Sequence, residues 1–147
     1  MESNAYHLVA PGNHIGDRFL KDASQSGAMD HLLVWAETKS EMKQYQKMNV
    51  DRVMTIKDRN DALQKLRDIK LAGCVIFEKS VDDCCWKVSM LRTITYSLIY
   101  VVKRNTIHPP HLYKECGADY VIHSQNDEPK FILESFKDLE NKRRNGE

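Results

Sequence analysis

The pattern that most constrains this chain is a repeat of short, unbroken apolar runs, each followed by a segment whose apolar residues recur at helical spacing. His31 to Ala36 (His-Leu-Leu-Val-Trp-Ala), Cys74 to Phe77 and Leu98 to Val102 carry no alternating polar residues. A strand with one wet face alternates, whereas a strand apolar at successive positions needs cover on both faces, as parallel sheets provide through helical crossovers. Tyr6 to Ala10 before Pro11-Gly12, Asp51 to Ile56, and Tyr120 to Ile122 complete a set of six strands. No two are joined by a two-residue hairpin turn, so parallel pairing through right-handed crossovers is expected.

The intervening segments read as helices. His14 to Ser24 carries Ile15, Phe19, Leu20 and Ala23 on one face and is stopped by Gly27. Thr38 or Ser40 caps the next, which runs through Met42, Tyr45 and Met48. Asn60 or Asp61 opens a third, with Ala62, Leu63, Leu66 and Ile69 inward and Gly73 at its end. Val81 to Ile94 follows the fourth strand with Val88 and Leu91 inward, together with Cys84 or Trp86. A short helix holding Leu112 and Tyr113 ends at Gly117, and Pro129 starts a last one through Phe131, Ile132, Phe136 and Leu139. The expectation is an α/β fold of three layers around a mostly parallel six-stranded sheet, with Tyr6 to Ala10, His31 to Ala36 and Cys74 to Phe77 as adjacent buried strands. It is expected to be a single domain over 1–140 with a polar tail at 141–147.

A length of 147 residues suits one domain. The formal net charge of +1 gives no electrostatic case for nucleic acid, and the run Lys142-Arg143-Arg144 reads as a solvated tail. The first residues do not resemble a signal peptide, and the longest apolar stretch falls far short of the roughly 20 residues that span a bilayer. No direct membrane insertion is expected, so any link to a membrane comes through a partner. Cys74, Cys84, Cys85 and Cys116 form no CxxC pair, which points to free thiols in a reducing compartment.

In parallel sheets a ligand sits beyond the carboxyl ends of the strands, where strand order reverses. The residues to weigh are Pro11 to Gly16, Glu37 to Lys39, Lys57 to Arg59, Glu78 to Ser80, Lys103 to Asn105 and His123 to Gln125. Pro11-Gly12-Asn13-His14-Ile15-Gly16 lies where a dinucleotide-binding chain has GxGxxG, with Gly16 in the third place, Asn13 in the second and Pro11 in the first. A second register uses Gly12 and Gly16 with an extra residue between them. Asn tolerates left-handed angles, but Pro fixes φ negative and offers no N–H, so the turn departs from the standard one. The following helix still offers amides to an anion, and His14 or Arg18 could add charge. Glu37 falls about 20 residues beyond Gly16, the interval at which an acid meets ribose hydroxyls, and competes with a plain loop acid. Asp58 is an adenosine contact or a helix cap.

Other constellations are thinner. His108-Pro-Pro-His111 brings two imidazoles near each other without a third ligand and reads as a turn before a helix. Cys84-Cys85 on a helix would give one core and one partly exposed thiol, and Trp35 reads as core. No nucleophile, base and orienting acid form a catalytic set, so no enzyme is expected.

The glycine turn at Ala10 to Gly16, the acid at Glu37 and the acid at Asp58 together resemble the Rossmann half of the RCK domains, regulators of potassium conductance. Leu98-Ile-Tyr-Val-Val-Lys-Arg followed by Leu112-Tyr-Lys-Glu-Cys-Gly-Ala-Asp-Tyr-Val-Ile122 is the closest local match. Ala72-Gly-Cys-Val-Ile-Phe77 with Asp82-Asp83 is similar to the family's fourth strand and its acidic loop. The resemblance implies a cytoplasmic regulatory or assembly domain of a potassium channel or transporter, at the inner face of the membrane through a partner or as part of a longer membrane protein. It also implies a homodimer or higher homo-oligomer, and NAD(H) or another adenine nucleotide as a weakly held ligand, its binding weak or lost. Gly12, Asn13, His14, Gly16, Glu37 and Asp58 are its candidate binding residues, with no metal. The alternative is a degenerate receiver-like protein-interaction module whose sheet begins at Leu32. There Glu78 takes the phosphoacceptor position, and Lys103 and His123 stand where a hydroxyl and a lysine belong.

Overall fold

The computed structural model describes residues 5–26, 31–104 and 109–123, together with Glu134. Strands β1 (Tyr6–Ala10), β2 (Leu32–Ala36), β3 (Arg52–Thr55), β4 (Leu71–Phe77), β5 (Leu98–Lys103) and β6 (Tyr120–His123) alternate with helices α1 (His14–Ser26), α2 (Lys39–Gln46), α3 (Arg59–Leu66), α4 (Val81–Ile94) and α5 (His111–Cys116). The six strands form one sheet in the order β3-β2-β1-β4-β5-β6, and every pairing is parallel. This is the Rossmann order, in which chain direction across the sheet reverses between β1 and β4. β1 is central, with Leu8 opposite Leu33 on one side and Cys74 on the other. That placement removes the receiver-like reading, which began the sheet at Leu32.

The alternation along each strand divides the core into two layers. Val9, Val34, Val75, Tyr100 and Val102 pack with Ile15, Phe19, Leu20 and Ala23 of α1 and Tyr45 of α2. Leu8, Leu33, Trp35, Cys74, Ile76, Ile99 and Val101 face the other way, towards Ala62 and Leu66 of α3, Val88 and Leu91 of α4, and Tyr113 of α5. All five residues of β2 are buried, as cover on both faces requires. Each fully buried side chain of this size contributes about 1.5–3 kcal/mol relative to exposure, so the two layers supply the main drive to fold.

Helices α2, α3 and α4 each begin on a side-chain cap that stands three residues before an acid. Thr38, Asp58 and Ser80 accept the amides of Glu41, Asp61 and Asp83. A cap of this kind satisfies one of the amides that a helix start leaves unpaired, and the acid favours the positive end of the helix dipole. Thr38 rather than Ser40 therefore starts α2. Asp58 caps α3, so that helix opens at Arg59, ahead of Asn60 or Asp61. The apolar spacing that reaches Ile69 overruns α3, which ends at Leu66, and the Ile69 amide is held in a turn by the Leu66 carbonyl at 3.1 Å. Met48 likewise falls beyond the end of α2. Gly73 is not a helix stop but an inner residue of β4, opposite Leu98 and His7. The expected last helix at Phe131 to Leu139, the stop at Gly27, His108 and the basic run lie outside the described residues.

The Gly117-Ala118-Asp119 segment works as a clamp. Arg92 of α4 donates to the Gly117 carbonyl at 3.0 Å, to the Thr95 and Ser97 carbonyls at 3.3 Å each, and to the Asp119 carboxylate at 2.6 Å. Asp119 accepts in turn from the Ile99 amide at 2.8 Å, which ties the end of α4 to the start of β5 and to the turn before β6. Arg92→Ala strands four acceptors and is expected to cost about 2 kcal/mol of unfolding free energy. Urea titration followed by far-ultraviolet circular dichroism checks this as a lower midpoint with an unchanged slope.

Candidate functional site

The Pro11 to Gly16 turn leads from β1 into α1 at the carboxyl end of β1, beside the reversal between β1 and β4 where sheets of this order hold their ligands. Gly12 has φ +63°, and the Asn13 amide donates back to the Pro11 carbonyl at 2.6 Å, closing a three-residue turn of the rarer kind, with a positive φ at its centre that glycine adopts without strain. A Cβ on Gly12 would come within 2.6 Å of the Phe77 carbonyl oxygen, so the turn is pressed against the end of β4. A Cβ on Gly16 would overlap the Pro11 carbonyl. Gly16 therefore serves the close helix packing expected of a third fingerprint glycine, and Gly12 serves the tight turn despite Pro11 before it.

Asn13 has taken over the second glycine's place with a different task. Its Oδ1 accepts the Gly16 amide at 2.9 Å, capping α1, and its Nδ2 donates to the Glu78 carbonyl at 2.6 Å. One amide that could meet a pyrophosphate is thus satisfied from within the chain. His14 is the first residue of α1 and is exposed.

Beyond β2, Glu37 is committed as well. Its Oε2 accepts from Lys79 Nζ at 2.9 Å and its Oε1 from Lys87 Nζ at 2.9 Å. Lys87 lies on α4 with its side chain only 1% exposed, and a second carboxylate, Asp83, pairs with it at 2.9 Å. The ammonium also stands 5.2 Å from the centre of the Trp35 ring, whose other neighbour is Trp86 in an edge-to-face contact at 5.6 Å. Burial alone would raise the Glu37 carboxyl, but the hydrogen bonds and charges of Lys79 and Lys87 outweigh it and hold the group down at about 2. A ribose hydroxyl that reaches this carboxylate has to share its oxygens with the two lysines.

Glu78, the residue after β4, is buried at 2% exposure. Its carboxylate accepts from the Arg104 amide at 3.0 Å and from the Tyr113 hydroxyl, which joins the ends of β4 and β5 to α5. Burial first, and then the bond to Glu78, push the Tyr113 phenol well above its ordinary value. Lys103, also buried, reaches the Arg104 carbonyl at 3.4 Å. A chain of contacts thus runs from the α1 amide through Asn13 and Glu78 to Tyr113.

Of the residues expected from the sequence, Gly12, Asn13, His14 and Gly16 lie together where β1 passes into α1, and Glu37 follows β2. Asp58 stands apart as the exposed cap of α3. Cys84 is core and Cys85 half-buried, as the helical spacing suggested, and Trp35 is core. Sequence reasoning missed Lys79, Asp83 and Lys87 as partners of Glu37. A signal for Lys87 was present: it is three residues from Cys84 and four from Leu91, on the apolar side of α4, where a cation has to find counter-charges. Among the described residues no group of three or more His, Cys, Asp or Glu could hold a metal ion, and no helix is long and apolar enough to cross a membrane.

Strand order and a glycine turn at the point of reversal define a Rossmann domain, and the resemblance to the Rossmann half of the RCK domains holds at the level of the fold. A chain of the GsuK channel bound to NAD aligns with a TM-score of 0.66 and 17% identity, over 82% of this chain and 22% of that one. The NAD(P)-binding domain of an exopolyphosphatase-related protein from Archaeoglobus fulgidus aligns with a TM-score of 0.67 and 14% identity, over 95% and 99%. A putative alcohol dehydrogenase from Thermotoga maritima aligns at 0.55 and 8% identity, over 94% and 38%. The chain thus spans about a fifth of the length of the channel chain it matches. No family model matches the sequence, and no curated protein matches it.

The two lysines on Glu37 are expected to differ sharply in weight. Lys87→Ala removes a buried cation from between two carboxylates and should cost about 3 kcal/mol. Lys79 is half exposed, and Lys79→Ala should cost less than about 1 kcal/mol. Parallel urea titrations of the two variants measure the difference, and equal losses would mean that Lys87 is not the structural partner.

Proposed function

We propose that this chain is a regulatory and assembly domain of a potassium channel or transporter, built on an RCK-type Rossmann half and working on the cytoplasmic side of the membrane. It carries no catalysis of its own, and its dinucleotide cleft is attenuated. The observation that carries this reading is the engagement of Glu37 by Lys79 and Lys87 beside an α1 start capped by Asn13. The fold shared with an NAD-bound channel chain supports the class. NAD(H) or another adenine nucleotide competes with Asn13 for the Gly16 amide and shares Glu37 with Lys79 and Lys87, so it is held weakly. Self-association is assigned to the segment bearing Phe131, Ile132, Phe136 and Leu139, four large apolar residues after the last strand.

Calorimetry with NAD, NADH, ADP and ATP tests the cleft. Dissociation constants of about 0.1 mM or weaker are expected for the wild type. The pair Asn13→Gly and Lys79→Ala restores the second glycine and frees one Glu37 oxygen, and should tighten NAD about tenfold, or about 1.4 kcal/mol. Adding Glu37→Ala should remove that gain. Tight wild-type binding that none of these changes alters would overturn the attenuated cleft. Light scattering tests assembly: the wild type should form dimers or larger species that a Phe131→Asp, Phe136→Asp double variant reduces to monomers. A folded wild type that stays monomeric at high micromolar concentration would count against the assembly role.

A further inference from the structure

Helix α2 shows solvent a face without a free carboxylate. Lys39, Lys43 and Lys47 follow one another at four-residue intervals, so their side chains form one row along the helix, and all three are exposed. The single acid of the helix, Glu41, turns its Oε1 to the Glu37 amide at 2.8 Å. Met42 and Tyr45 pack the other way, into the layer between α2 and the sheet. α2 lies against β3, the edge strand, whose first residue Arg52 is exposed and adds a fourth cation at the end of the sheet where α2 finishes. Among the described residues none of these four cations pairs with a carboxylate. The exposed acids nearby are taken up by their own segments, Asp51 by the Leu32 amide and His31, and Asp58 by the Asp61 amide.

Folding gives no reason for this row. Like charges four residues apart repel along a helix, and Lys39, the first residue of α2, also opposes the positive end of the helix dipole. In α3 the same spacing holds an ordinary pair of opposite charges, Asp61 with Lys65. We propose that the α2 row, with Arg52, is an electrostatic docking face for the headgroups of anionic lipids, on which the domain lies without inserting.

The residue types in the row decide between partners. Protein interfaces are built around aromatic and arginine anchors and are poor in lysine, and nucleic acid is gripped by arginine forks and stacked aromatic rings. Here lysine dominates, and the exposed residues between the cations are Ser40, Gln44 and Gln46, with no aromatic ring. Point charges on flexible stems suit a fluid layer of phosphates and carboxylates that can gather beneath them. The row is about 12 Å long, close to one Debye length, so its charges act on such a surface together. The inference rests on the proposed place of the domain at the cytoplasmic side of a membrane, which brings an anionic leaflet within reach. Adhesion of one copy is weak and salt-sensitive, and assembly multiplies it.

Co-sedimentation of the full chain with vesicles of phosphatidylcholine alone, or with roughly one-third phosphatidylserine added, tests this. The wild type should sediment with the phosphatidylserine vesicles, stay in solution with the others, and be released by salt at about 1 M, where the Debye length is about 3 Å. Lys39→Gln, Lys43→Gln and Lys47→Gln together should weaken partitioning about a hundredfold, whereas Lys39→Arg, Lys43→Arg and Lys47→Arg should keep it near the wild-type level. Removing the charges of the tail instead, by Lys142→Gln, Arg143→Gln and Arg144→Gln, should leave most of the binding in place. No sedimentation with phosphatidylserine vesicles, unchanged binding by the glutamine variant of the row, loss on changing the tail alone, or tighter wild-type binding to an RNA or DNA duplex would each overturn the proposal. The lipid and salt comparisons are read on the wild type, so the answer does not hang on a variant folding. Self-association is read separately by light scattering: dimers that ignore the vesicles refute the docking face alone, and a monomer that binds them leaves the face standing while counting against the assembly role.

Discussion

A lysine ammonium with 1% of its side chain exposed cannot stay charged in a protein interior without counter-charges, and Lys87 has gathered two. Glu37 reaches it from the end of β2 and Asp83 from one turn back on α4, while the face of Trp35 lies beneath. Desolvating one ion costs several kcal/mol, and only a complete set of partners offsets that. The set draws on β2 and α4, which belong to different halves of the sheet, so it pins the two halves together across the point where strand order reverses.

What the cluster holds together, it also takes from a ligand. In a Rossmann domain the acid after β2 and the amides of α1 are the two attachments for a dinucleotide. Here the acid is spent on lysines, and one amide is spent on Asn13, which also ties the turn to Glu78. The domain therefore supplies from its own residues a charge balance and a helix cap. Lys79 is the more exposed of the two lysines and so the easier to displace from Glu37.

The fold was legible because burial on two faces leaves a plain mark: β1, β2, β4 and β5 are runs of apolar residues, and no other arrangement of so short a chain covers them. Glycine readings were less secure. Gly73 looks like a helix stop in isolation, yet β4 starts before it, because a strand covered on both faces tolerates a missing side chain when its neighbours close the gap. Asp58 was ambiguous between cap and ligand for a physical reason, since both roles need a carboxylate just after a strand, and the cap won. That Gly12, Asn13, Gly16 and Glu37 stand at the carboxyl ends of β1 and β2 followed from spacing. Their present partners did not, because Lys79 and Lys87 are far from Glu37 in sequence and meet it only once β4 and α4 are in place.

The central claim is that Glu37 is held as an ion by its own chain. Carbon-13 observation of the Glu37 side-chain carboxyl through an acid titration of the ligand-free domain reads this directly. Because the folded value is depressed, the group should stay ionised through the range where an ordinary glutamate takes up its proton, with a midpoint at about 2. A midpoint at the ordinary value of 4.5 would mean that the lysines do not hold the carboxylate, and would contradict the account.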